Sequence, residues 1–207
     1  AVIEVTNNQP IVVERAMYMS RADEPYSAGH GSAGVQAPAT RWFLAEGATG
    51  PFFDMFVLLA NPSASTARVR ITYLLNGGGT RTRVHDVPAN SRVTVNVAHE
   101  TFDDTPPGTL PLASETLSAV VESINNVPII VERSMWWPAF STSASGWVEA
   151  HNSPGTTQTG LEWALAGGEL DATRGQETFI LIANTSAFAG KARVRLMYEN
   201  GETMDHE

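Results

Sequence analysis

The nonapeptide PIVVERAMY occupies residues 10–18, and a near copy, PIIVERSMW, occupies residues 128–136, which is 118 residues further on. Both copies place a Glu-Arg pair in the middle of an apolar run. A long segment that recurs in this way is typical of a chain built from repeated structural units. The predicted fold therefore depends on how far the repetition extends on either side of the two segments.

The repetition extends over most of the chain and keeps one order. Four further pairs of blocks match: GHGSAG (29–34) with AHNSPG (150–155), WFLAEG (42–47) with WALAGG (163–168), FVLLANP (56–62) with FILIANT (179–185), and ARVRITY (67–73) with ARVRLMY (192–198). The spacing between copies grows only across stretches rich in small and polar residues, where extra residues lengthen a surface loop at little free-energy cost.

These blocks predict three parts of the chain. Residues 39–154 form one complete unit, residues 1–38 are the last strands of a preceding unit, and residues 155–207 are the first strands of a following one. Residues equivalent to 82–118 occur once, so the two end pieces do not make up a second unit. We expect the natural protein to be longer, and exchange of strands between subunits is the alternative.

Composition narrows the possible function. Lys and Arg total 13 against 22 Asp and Glu, a net charge of −9, which argues against binding to nucleic acid because such proteins need a basic surface. The absence of Cys excludes disulfides, Cys-ligated zinc and a thiol nucleophile. No apolar run reaches the ~18 residues that a membrane span needs.

Strand-forming patterns fill the complete unit. ARVRITYLL alternates Val69, Ile71 and Tyr73 on one face with Arg68 and Arg70 on the other, as a half-buried strand requires. Seven strands are predicted, at 41–46, 53–60, 66–75, 81–87, 91–98, 116–124 and 127–137. Short strands joined by turns, with no helix, predict an all-β fold of tandem immunoglobulin-like β-sandwich modules, with a barrel as the alternative.

The Glu-Arg pairs predict structural ion pairs. Neighbouring residues of a strand point to opposite faces, so Glu14 cannot pair with Arg15, nor Glu132 with Arg133. Each charge needs a partner from another strand or from a neighbouring unit, because an unpaired buried charge is costly. We favour this structural interpretation over a catalytic glutamate.

A His-x-Ser-x-Gly motif follows each Glu-Arg segment. A hydrolase nucleophile elbow has Gly two residues before the Ser, and this chain has His there, so the motif does not predict an esterase or lipase. We expect a connector between units, in which Gly sets the bend and His or Ser bonds to local backbone. Its residues are His30, Ser32, Gly34, His151, Ser153 and Gly155.

Two sets of side chains suggest contacts outside the unit. The two strands of one predicted hairpin carry Arg68, Arg70, Arg81 and Arg83. We expect these four side chains to have no acidic partner within the hairpin, which predicts a basic docking patch for an acidic neighbour or a glycan. The alternative is that these four side chains are simply solvated. Trp136, Trp137 and Trp147 are candidates for stacking on a sugar, and of two consecutive tryptophans one should face outward.

No cofactor or metal is predicted. The remaining histidines have no ligand spacing, and the adjacent carboxylates of Asp103 and Asp104 lack the regular oxygen spacing of a calcium loop.

The repeated blocks resemble a tandem module of long, mostly uncharacterised secreted or cell-surface bacterial proteins. The resemblance rests on residues 42–47, 53–62, 67–73, 88–97 and 10–18. It implies a bacterial extracellular or cell-surface location and a repeated architecture, and it implies no activity. Gly167 departs from the pattern at the position of Glu46, which argues against an essential chemical role for that glutamate.

These observations predict a non-enzymatic structural protein that builds filaments, surface layers or stalks, or mediates adhesion. Its expected partners are neighbouring repeats or copies of itself, giving a homo-oligomer or filament. The alternative prediction is a glycan-binding module that uses the exposed tryptophans.

Overall fold

The structure is a computed structural model that describes residues 1–21, 24–138 and 146–207. Its strands are β1 (Glu14–Arg21), β2 (Glu24–Ala33), β3 (Arg41–Leu44), β4 (Asp54–Asn61), β5 (Ala67–Leu75), β6 (Thr80–Val87), β7 (Ser91–Asn96), β8 (Leu117–Ser123), β9 (Ile130–Trp137), β10 (Glu149–Pro154), β11 (Val194–Met197) and β12 (Thr203–His206). A 3-10 turn at Val97–His99 is the one helical element among the described residues. No helix in these ranges has the length and apolar character needed to cross a membrane. The all-β prediction is confirmed.

The seven strands predicted for residues 39–154 correspond to β3 to β9, with ends that differ by at most three residues. They form two four-stranded antiparallel sheets together with β10. One sheet, called here the β5 sheet, has the order β3-β8-β5-β6, and the other, the β4 sheet, has the order β10-β9-β4-β7. The chain therefore forms two sheets here and not one closed barrel.

The inner faces of the two sheets share one hydrophobic core. Alternation decides which side chains enter it: β4 buries Met55, Val57 and Leu59, while β5 buries Ile71 and Tyr73. Burial of these apolar side chains is the main stabilising contribution, at roughly 1.5–3 kcal/mol for each large residue. All buried residues of this core lie within residues 39–154, and Val35 packs against it from outside that range.

The strand order differs from that of an immunoglobulin domain, so the immunoglobulin-like part of the prediction is not confirmed. In the immunoglobulin order the first two strands pair in one sheet. Here the first two strands of the unit, β3 and β4, lie in different sheets. The strand β10 was also not predicted. Alternation along a strand reports which face is buried, and it carries no information about which strand lies alongside.

The two copies of the nonapeptide form the same hairpin. In β1–β2, Glu14 lies opposite Ala33, and in β9–β10 the equivalent Glu132 lies opposite Pro154. The equivalence holds for each pair along the two hairpins, from Arg15–Ser32 and Arg133–Ser153 to Met19–Ala28 and Trp137–Glu149. Both hairpins also end alike, because Gly34 donates its N–H to the carbonyl of Val13, and Gly155 donates to the equivalent residue Val131.

The two equivalent tryptophans, Trp42 and Trp163, form the same local hydrogen bond but differ in burial. Trp42 is 1% exposed, and its indole N–H donates to the carbonyls of Ile129, at 3.0 Å, and Ala39, at 3.2 Å. Trp163 is 66% exposed and donates to Gly160, three residues back, as Trp42 does to Ala39. The bond three residues back is thus local, whereas burial requires packing among the strands of a complete unit, which Trp42 has and Trp163 lacks within the described residues.

Candidate functional site

A group of three charged or titratable side chains joins the two sheets. Arg133 points from β9 into the interior, and its side chain is 8% exposed. Its Nη2 lies 2.5 Å from the Oε2 atom of Glu46, which follows β3 of the other sheet. The Nε2 atom of His151, from β10, lies 3.2 Å from the same oxygen. We call Glu46, Arg133 and His151 the inner ion cluster.

The inner ion cluster holds its carboxylate in the ionised form. Burial alone raises the pKa of Glu46, but the hydrogen bond to His151 and the charge of Arg133 outweigh burial, so the pKa lies below its ordinary value. A carboxylate neutralised by a buried guanidinium is a weak proton acceptor, and a general base needs a pKa near the working pH. The cluster is better suited to holding the two sheets together than to general acid–base catalysis.

Glu132 lies on the outer face of the same strand and receives a partner from the first copy. The Nη1 atom of Arg15 lies 2.9 Å from Glu132 Oε2, and the Nδ2 atom of Asn152 donates to this oxygen at 3.0 Å. Arg15, Glu132 and Arg133 therefore each have a partner from another strand or another copy. Glu14 is exposed and forms no ion pair within the described residues, so a structural pair at Glu14 is not found.

The hairpin β1–β2 lies over the outer face of the β4 sheet. Its strand β2 runs against β10, and Ala28 is buried there. A gap of about 30 Å³ between the two is lined by Met17, His30, Trp136 and Ala150, among others. The face that the hairpin turns toward β10 carries Arg15 and His30, whose counterparts Arg133 and His151 both belong to the inner ion cluster.

The prediction of a connector between units is wrong, because four of its six residues lie within strands. His30 and Ser32 lie within β2, and His151 and Ser153 lie within β10. Both strands lie at the edge of a sheet, where no apolar alternation is needed.

Gly34 and Gly155 follow directly after these strands. A Cβ on Gly155 would lie 3.2 Å from both Trp42 and Leu44, and the next residue, Thr156, accepts a hydrogen bond from Phe43 N at 2.7 Å. Gly155 thus lets the chain pass from the β4 sheet to the β5 sheet inside the unit, rather than setting a bend between units.

The predicted patch of four arginines does not exist as one surface. Arg83 lies opposite Ile71 and Arg81 opposite Tyr73, so both share the core side of the sheet, whereas Arg68 and Arg70 share the outer side. Three of the four have acidic partners. These are Arg70–Glu122 at 2.8 Å, Arg81–Asp104 at 2.6 Å and Arg83–Asp103 at 3.0 Å. The prediction that these arginines lack acidic partners is wrong for three of the four. Their partners come from a loop and from β8 and not from the hairpin.

The tryptophans divide between the two faces of the β4 sheet. Trp137 packs against the core, with its ring centroid 5.6 Å from that of His151. Trp136 points outward, and its ring centroid lies 4.9 Å from that of Trp147. Their indole N–H groups donate to Ser134 Oγ and Asp54 Oδ2, both at 2.6 Å. Trp136 is also covered in part by the hairpin β1–β2, which reduces the ring face open to a ligand.

Two partners at these sites, Glu46 and Asn152, were not predicted from the sequence. The need of Arg133 for an acid follows from strand alternation, and Glu46 is the acidic residue of a repeated apolar block, so a signal for it existed. Asn152 gave no signal, because an amide in a short polar strand has no distinctive pattern. No group of three metal-ligating side chains is found among residues 1–21, 24–138 and 146–207.

Comparison with known proteins identifies no family for this chain. No protein-family model and no curated protein matches the chain. Among solved structures, "Crystal Structure of Thermotoga maritima 1070" gives a TM-score of 0.47 at 16% identity, covering 59% of this chain and 97% of that chain. The "Anabaena sensory rhodopsin transducer" gives 0.38 at 24% identity, covering 48% of this chain and 99% of that one. Neither likeness is close enough to bear on fold or function.

Contact between the hairpin β1–β2 and the unit is expected to weaken at mildly acidic pH. Burial lowers the pKa of His30 below its ordinary value of 6.5, and the charges of Arg15 and His151 act in the same direction, against Glu132 and the carbonyl of Ala150. A lowered histidine pKa means that the contact favours neutral His30. Its stabilisation is complete above pH 6.5 and is lost as the pH falls through the pKa of the docked state.

Amide hydrogen exchange of β2 measured between about pH 6.5 and 5 tests this expectation, after correction for the intrinsic exchange rate. Protection of β2 should fall in that window, and His30→Gln should remove the fall. An equal fall in the His30→Gln variant would show that another group is responsible.

Proposed function

We propose that this chain is a non-enzymatic structural protein of tandem β-sandwich units, located outside a bacterial cell, that acts through packing of units against copies of themselves. The observation that carries the proposal is the pair of hairpins β1–β2 and β9–β10, which share one register, with the first lying against the second through Arg15 and Glu132. The proposed location rests on the sequence resemblance alone.

Two features support a structural role over catalysis. The inner ion cluster ties its own charges together across the two sheets, and its carboxylate, Glu46, has a pKa below the ordinary value, which makes it a weak general base. The equivalent of Glu46 in the following copy is Gly167, so the second copy lacks the carboxylate. A repeated structural unit tolerates such a loss more readily than a repeated active site does.

Electron microscopy of the purified chain, with light scattering over a range of concentrations, tests the proposal. Units that pack on copies of themselves should give rows or filaments whose mass grows with concentration. Isolated compact monomers at high concentration would contradict filament building.

Glycan binding is the second candidate, favoured by the half-exposed Trp136–Trp147 pair on an outer sheet face. An open cleft of about 440 Å³ lies nearby, lined among others by Tyr18, Tyr26 and Glu149. Aromatic rings and a carboxylate are the groups that recognise sugars. Binding to a glycan array should be lost in Trp147→Ala and kept in Trp163→Ala, an exposed tryptophan outside this surface. An array without hits would remove this candidate.

A further inference from the structure

Residues 177–184, ETFILIAN, repeat the pattern of β4, DMFVLLAN, and form no strand. The inward residues of β4, Val57 and Leu59, are fully buried, whereas their counterparts Ile180 and Ile182 are 41% and 62% exposed. Apolar segments of this kind are stable as strands when a sheet pairs their N–H and C=O groups and covers their apolar side chains. Residues 177–184 are therefore a strand-forming segment without a neighbouring strand among the described residues.

The neighbour that residues 177–184 lack is a strand of the β9 type. In the complete unit β4 pairs along its length with β9, with Met55 opposite Met135 and Leu59 opposite Val131. The chain carries a second strand of this type, β1, which belongs to a sheet of two strands, whereas β9 has β10 on one side and β4 on the other. The edge of β1 that corresponds to the β4 side of β9 has no strand on it among the described residues.

Apolar exposure marks the same edge. Val12 is 89% exposed and Ile11 is 56% exposed, while Ile129, the counterpart of Ile11, is fully buried in the unit. The two exposed segments thus carry the sequences of two strands that pair with each other elsewhere in the same chain. Their pairing would remove both exposed faces from water.

We propose that β1 of one chain pairs, antiparallel, with residues 177–184 of a second copy, in the register of β9 with β4. The opposed pairs are Met17–Thr178, Arg15–Ile180 and Val13–Ile182. Donor and acceptor are different surfaces, so the contact is heterologous and propagates head to tail. This inference rests on the proposed function, for which it names the partner and the contact surfaces.

The charge of Arg15 determines the affinity of the proposed contact between two chains. Its counterpart Arg133 is neutralised by Glu46, and the copy that would receive Arg15 has Gly167 at that position. Formation of the contact also breaks the ion pair between Arg15 and Glu132 of the same chain. Association is therefore weaker than the pairing within the unit, and Gly167→Glu should strengthen it about tenfold, because a charge-assisted bond is restored.

Two variants separate the donor edge from the acceptor segment. Val13→Asp places a charge on the donor, and Ile182→Asp places one on the acceptor; neither residue belongs to the core of residues 39–154. Measured by light scattering, wild-type chains should grow beyond dimers with concentration, and each variant alone should stay monomeric. A mixture of the two should stop at a one-to-one dimer, because it has one working donor and one working acceptor. Leu161→Asp, a fully exposed control outside the register, should associate as wild type does.

Three outcomes would overturn the inference. Single variants that associate as wild type does would show that these strands are not the contact. If wild-type chains assemble but the mixed variants stay monomeric, the strand pairing is wrong and assembly by another surface stands. If wild-type chains stay monomeric at all concentrations, the proposed filament-building role fails together with this contact.

Discussion

Trp42→Ala is expected to lower the free energy of unfolding of the central unit by about 4 kcal/mol, and Trp163→Ala to change it by less than about 0.5 kcal/mol. The two tryptophans occupy equivalent positions and make the same bond three residues back. Trp42 is buried among both sheets and also donates to Ile129, whereas Trp163 stays in solvent. The difference therefore isolates burial from local turn chemistry.

Urea unfolding followed by circular dichroism measures the two free energies, at concentrations where light scattering finds monomers. Equal effects at the two positions would mean that Trp42 is not a core residue of a complete unit. Trp42→Phe should fall between the two alanine variants, since it keeps most of the apolar area and loses both hydrogen bonds.

Arg133→Met is expected to cost about 3 kcal/mol, because it leaves the Glu46 carboxylate inside the protein without its main partner. The matched control is Arg15→Met at the equivalent position of the first copy. Arg15 is 41% exposed, and an ion pair of that exposure contributes less than about 1 kcal/mol.

A double variant tests the cause. Replacing Glu46 by Met together with Arg133 removes both charges, and most of the lost stability should return, since an apolar pair of similar volume replaces a desolvated ion pair. If Arg133→Met costs as little as Arg15→Met, the inner ion cluster does not join the two sheets energetically.

Strand positions in the complete unit could be predicted because each strand carries its own pattern. Val69, Ile71 and Tyr73 alternate with arginines, and the structure buries the first set. The pairing of strands could not be predicted, since no residue of β3 records that β8 and not β4 lies alongside. The strand β10 escaped prediction because His151 and Ser153 give no apolar alternation at a sheet edge.

The pairing of charged residues could not be predicted either, because the partners are distant in sequence. Alternation shows that Arg133 and Glu132 need separate partners, but Glu46 lies 87 residues from Arg133 and Arg15 lies 117 residues from Glu132. The arginines of β5 and β6 looked unanswered for the same reason. Asp103 and Asp104 come from a loop whose return to the β6 edge leaves no mark in the local sequence.

Disulfide formation between two chains is the most direct test of equivalence between β1 and β9. The chain has no cysteine, so Met17→Cys in one preparation and Thr178→Cys in another place the only two thiols of the mixture. Their counterparts, Met135 and Met55, lie opposite each other in the complete unit. Mild oxidation of the mixture should give a heterodimer linked between positions 17 and 178, and Met19→Cys should give far less. No cross-link, or equal cross-linking from positions 17 and 19, would contradict the account of β1 and residues 177–184 as copies of one strand pair.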